Sequence, residues 1–128
     1  MFIQTTDSPD ILIRVISWDN FGLQSISYAF LNCTNLIDVP STLPLTINSL
    51  AYLFQSATNF NDNISIWDTN NIINMEGMFS GESIFNQPIG IWNVSNVKNM
   101  KVMFSQSVFN QPIWNWNVTN VTNMSYMV

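Results

Sequence analysis

The chain has 128 residues, a net charge of −5, no histidine and one cysteine; 47% of it is apolar and only 9% charged. That length supports one domain with a core, and that apolar share argues against disorder. With only Arg14, Lys98 and Lys101 positive, it lacks the basic stripe that nucleic acid or anionic lipid demands.

In chain order, the first segment, Met1-Phe2-Ile3-Gln4-Thr5-Thr6-Asp7, has neither a basic start nor a long apolar run, so it does not read as a signal peptide. No apolar run approaches the ~20 residues of a membrane span, and no membrane insertion by this segment is expected. Residues 1–17 read as a lead-in, with Ile11-Leu12-Ile13 and Val15-Ile16 as strand-like runs. Cys33 can form no intrachain disulfide and no cysteine metal site, and reads as a small packed side chain.

From residue 18 onward the chain repeats. Phe85-Asn86-Gln87-Pro88-Ile89 returns as Phe109-Asn110-Gln111-Pro112-Ile113, and Trp92-Asn93-Val94 as Trp116-Asn117-Val118. The period is 24 or 25 residues, the signature of a stacked array in which each unit buries its apolar side against its neighbours. The coils fall at approximately 18–30, 31–54, 55–79, 80–104 and 105–128, the last ending where earlier ones run on. This early stop favours a piece of a longer exported protein over an intracellular one.

Within a copy, Ile89-Gly90-Ile91-Trp92 is short, apolar and β-prone, which predicts a strand. Val94, Val97, Met100, Met103 and Phe104 recur at three-residue spacing, which predicts a short α or 3₁₀ helix capped by Ser95 or Thr119 and ended by Gly81 or the Ser105-Gln106-Ser107 run. The fold class expected is therefore α/β: a leucine-rich-repeat-like solenoid of about five coils, each a strand plus a helix. Trp67, Trp92 and Trp116, with Met75, Met100 and Met124, are expected to form apolar ladders. Asn74, Asn99 and Asn123 are expected to form a buried ladder that satisfies turn amides and each other.

Asn99-Met100-Lys101-Val102-Met103-Phe104 and Phe85-Asn86-Gln87-Pro88-Ile89-Gly90-Ile91-Trp92-Asn93-Val94 closely resemble the BspA-like leucine-rich repeats, the bacterial surface protein 26-residue repeat of mycoplasma-type lipoproteins of unknown function. The resemblance covers roughly residues 18–128. It implies a leucine-rich-repeat-like fold on a cell surface, often in large multi-copy proteins. This chain uses Trp, Asn and Met more than Leu and carries no lipoprotein cysteine near its start.

Catalytic groups are scarce. Without histidine the usual triads and dyads are absent, so the chain does not read as an enzyme. Asp62 and Asp68 share one copy, but the next copies carry Gln87 and Asn93, then Gln111 and Asn117, so an acid pair would be unique to one coil. Asn61-Asp62-Asn63 has ligand-type residues without a full calcium-loop spacing. No phosphate-cradling motif occurs, and no cofactor is implied. Six Asn-x-Ser/Thr triplets begin at Asn32, Asn63, Asn93, Asn117, Asn120 and Asn123, as expected by chance in so Asn-rich a repeat.

Trp114 breaks the pattern, standing where Ser65 and Gly90 stand in earlier copies. Ser65, Gly90 and Trp114 mark the candidate binding face, and period two would place Trp114 and Trp116 on the same side of a strand. The function expected is a non-enzymatic, surface-type repeat module that binds an unidentified protein or glycan; the alternative is a structural spacer or stalk in a longer exported or virion protein. Val118, Val121, Met124 and Met127 at the last coil suggest end-to-end self-association.

Overall fold

The computed structural model describes residues 11–18 and 22–128. It overturns the α/β solenoid. Among the described residues there is no α-helix and no sheet; a 3₁₀ turn, Ile89–Ile91, and isolated parallel bridges are present. The strand expected at residues 89–92 is that 3₁₀ turn, and the helix expected over residues 94–104 is a run of turns around a bridge at Asn99.

The backbone explains why. Met78, Ser80, Met103 and Ser105 each donate their amide three residues back, as a helix would begin. A left-handed residue then follows every fourth position and stops propagation. Tyr28, Tyr52, Gly77, Val102 and Tyr126 hold one such site in five successive windings, with φ between 51° and 63°. Asn32, Ser56, Gly81 and Gln106 hold the second. Helix formation needs consecutive right-handed residues to repay its nucleus. Asn, Ser and Thr, abundant here, also offer the backbone competing side-chain bonds.

Amides withheld from a helix go to the next winding. Met75 N–H donates to Asn99 O, Gly77 to Lys101 O, Phe79 to Met103 O and Gly81 to Ser105 O, at 2.9–3.0 Å. The same ladder joins Leu50, Tyr52, Phe54 and Ser56 to Asn74, Glu76, Met78 and Ser80. Parallel bridges run Ser25–Ser49–Asn74–Asn99–Asn123 through five windings. The lead-in joins the stack as well: Arg14 bridges Asp38, and Leu12 and Val15 are buried. Residues 1–10 of that segment lie outside the described residues.

The core is aromatic at its centre. Phe30, Phe54, Phe79 and Phe104 stack at 5.7–5.8 Å between ring centroids, within 25° of parallel. Phe60, Phe85 and Phe109 form a second column at 5.9–6.2 Å. The columns touch, Phe79 on Phe85 at 4.1 Å and Phe104 on Phe109 at 4.2 Å. Offset parallel rings at these separations add to the gain from burial itself.

Among the described left-handed residues, Val102 is the β-branched one. It sits at φ 51°, where such residues pay about 1–2 kcal/mol; Gly77 fills the same site one winding earlier. Val102→Gly is therefore expected to stabilise the chain by up to about 1 kcal/mol after the entropy that glycine loses. A lower urea midpoint for the variant would contradict the left-handed assignment.

Candidate functional site

The repeated polar residues are mostly consumed inside the stack. Asn74, Asn99 and Asn123 are half-buried, and each accepts the amide two residues on, from Glu76, Lys101 and Ser125. Ser25 and Ser49 do the same job with hydroxyls for Ser27 and Ala51. These are turn-forming side chains of the kind that suits Asn and Ser. The bonds expected from Asn to Asn along this column are made by backbone instead; the Asn99 amide reaches Glu76 Oε2 at 3.0 Å.

Two further asparagine columns, which sequence reading passed over, join windings directly. Asn71, Asn96 and Asn120 donate Nδ2 to Leu45 O, Asn70 O and Ser95 O of the winding before, at 2.7–3.1 Å. Asn61 Oδ1 accepts the Asn86 amide, and Asn86 Oδ1 accepts the Asn110 amide, both at 2.9 Å. Each bond contributes about 1 kcal/mol net.

The suspect carboxylates have structural partners too. Asp68 Oδ1 accepts the Asn70 amide as Asn93 and Asn117 accept those of Ser95 and Thr119, which explains why Asp and Asn exchange there. Asp62 Oδ2 accepts the Val39 amide at 3.1 Å, while Asn63 Oδ1 accepts the Ser65 amide. The three oxygens of Asn61-Asp62-Asn63 thus serve three separate amides rather than converging. Among the described residues no trio of His, Cys, Asp or Glu is placed to hold a metal ion. Asn63, Asn93, Asn117 and Asn123 in the Asn-x-Ser/Thr triplets are these same turn residues, each capping the Ser or Thr two positions on.

Trp67, Trp92 and Trp116 are buried at equivalent points, each facing a phenylalanine (Phe54, Phe79 and Phe104) at 6.0–6.5 Å. Their indole N–H groups donate to Pro40 O, Ile64 O and Ile89 O at 2.9–3.1 Å. The phenylalanines stack ring on ring from winding to winding, and Trp67 meets Trp18 edge-on at 6.2 Å. Met75 and Met100 are fully buried, whereas Met124 in the last winding is 41% exposed.

Trp114 differs from all of these. Its side chain is 81% exposed while Trp116 is 7% exposed. The two do not share a side, because Trp116 closes a turn on Ile113 O and the strand expected there is absent. Beside Trp114 lies an open cleft of about 460 Å³, lined by Gly90, Ile91, Pro112 and Asn115 among others. Gly90 is required here: a methyl on its Cα would overlap the carbonyl oxygen of Pro112. Ser65, at the same position two windings before Trp114, is half-buried.

A second feature sits on the left-handed column. Tyr52 stacks on Tyr28 at 5.0 Å, covers the bare Cα of Gly77 and donates its hydroxyl to Glu76 Oε1 at 2.8 Å. Burial, then the bond to Glu76 and its charge, push the Tyr52 phenol from 10.0 up to about 12. A raised value favours the protonated phenol in the fold. Its contribution to stability is therefore complete below pH 10 and is lost as pH rises toward 12. Absorbance titration should show Tyr52 ionising late, and Glu76→Gln should bring it back toward 10.0.

A family model described as "Mycoplasma protein of unknown function, DUF285" matches residues 24–128. The chain belongs to that family. No curated protein and no solved structure matches it. No helix among the described residues is long and apolar enough to cross a membrane.

Proposed function

We propose that the chain is a non-enzymatic module of a surface protein, akin to the BspA-like repeat proteins, which binds a protein or a glycan through the face that carries Ser65, Gly90 and Trp114. The observation behind this reading is the exposure of Trp114. Trp67, Trp92 and Trp116 are buried and hydrogen-bonded, and the fold does without an aromatic at residues 65 and 90. A large exposed indole that the core does not need is a common mark of a contact surface. The family match to mycoplasma proteins supports placement at a cell surface. The commitment of the repeated polar side chains to internal bonds supports the absence of catalysis.

The second reading is a spacer without a ligand. That same internal use of side chains favours it, since it leaves few outward groups in common between windings. Binding to immobilised matrix proteins and to a glycan panel separates the two. Wild type should bind at least one at micromolar concentration, and Trp114→Ala should weaken that binding at least about tenfold with an unchanged unfolding midpoint. Blank panels up to high micromolar, and full function after deletion of one winding, would favour the spacer.

A further inference from the structure

We infer that the Trp114 indole and the two clefts it borders form a stacking subsite for a neutral glycan, an inference that rests on the binding role proposed for this face. The indole borders two open clefts, one of about 460 Å³ shared with Gly90, Ile91 and Asn115, the other of about 510 Å³ shared with Asn110 and Gln111. Both clefts border Trp114, and no charged residue lines either one.

The ring's polar edge is also open. The indole N–H groups of Trp67, Trp92 and Trp116 are spent on carbonyls, whereas that of Trp114 meets no protein acceptor among the described residues. Asn115 and Trp114 both lie exposed at the rim. A pyranose matches this set. Its axial C–H face is weakly positive and apolar and complements the negative face of an aromatic ring, while its equatorial hydroxyls need uncharged donors and acceptors at the rim. A sulfated or phosphorylated chain would instead need cations, and none is present in either lining. Gly90, which adds no side chain, lines the 460 Å³ cleft beside the indole.

The test follows the indole N–H resonances of the full chain while chitohexaose, cellohexaose and maltohexaose are titrated separately, with a proline-rich peptide and heparin as the competing classes. At least one neutral oligosaccharide should shift the Trp114 resonance and leave that of buried Trp116 nearly still, with a dissociation constant on the order of 0.1–1 mM. Trp114→Ala should weaken binding at least about tenfold, and Trp114→Phe should restore part of it, as expected of a stacking contact. Salt should change the affinity little. No shift of Trp114 by any of the three sugars at about 10 mM would overturn the inference. So would tighter binding of heparin that salt abolishes, or a shift caused by the peptide alone. In the peptide case, or if Trp114→Ala still abolished capture on matrix proteins, the binding face would stand and only its ligand class would fall.

Discussion

Phe79→Ala is expected to destabilise the chain by about 3–5 kcal/mol, the usual cost of deleting a fully buried aromatic. Phe79 is fully buried and touches four rings: Phe54 and Phe104 above and below at 5.8 Å, Phe85 at 4.1 Å and Trp92 at 6.5 Å. It is therefore a node between windings as well as within one. A domain of this size commonly has only about 5–15 kcal/mol of net stability, so the variant should lose much of its urea midpoint. Phe109→Ala is the matched control. Phe109 is half-buried and its ring stacks on those of Phe85 and Phe104, and its loss should cost clearly less. Equal costs at the two positions would mean that the columns do not carry the core.

Gly90→Ala is the second large effect, and its origin is steric. Gly90 lies in the 3₁₀ turn Ile89–Ile91 and outside the left-handed region, so its backbone would tolerate alanine. The added methyl would overlap the Pro112 carbonyl oxygen of the next winding, which is backbone and cannot rotate away. Ile89 O accepts both the Trp92 amide and the Trp116 indole N–H. The turn therefore cannot retreat without breaking those bonds. Overpacking of this kind costs about 1–3 kcal/mol, at the upper end here because both sides are anchored. Ser65→Ala, at the matching position one winding earlier, adds no atom and should cost little. Equal and small costs for both, measured by urea unfolding, would show that the two windings are not in the close register described.

The repeat period was legible because equivalent letters recur at fixed spacing; the local conformation was not. Val94, Val97, Met100 and Met103 at three-residue steps suit a helix and equally suit successive three-residue turns. What separates them is the sign of φ at residues 77 and 81 and their equivalents. Glycine betrays that sign in one winding only. Tyr28, Tyr52, Val102 and Gln106 occupy the same left-handed sites without any local marker. Asn74, Asn99 and Asn123 stood out by recurrence, yet residue type could not say whether their partners were each other or the amides two residues on. The exchange of Asp68 with Asn93 and Asn117 was the readable clue, since a turn-capping oxygen is common to both side chains. Trp114 was legible as a break in the pattern. Its opposition to Trp116 was not, because period two holds only in an extended strand.

The central claim is that amides leave their own winding for the next instead of closing a helix. Scalar couplings across hydrogen bonds test this directly by NMR. The account predicts couplings from the Met75, Gly77 and Phe79 nitrogens to the carbonyl carbons of Asn99, Lys101 and Met103. Couplings from residues 98–104 to carbonyls four positions earlier, with none between windings, would contradict it.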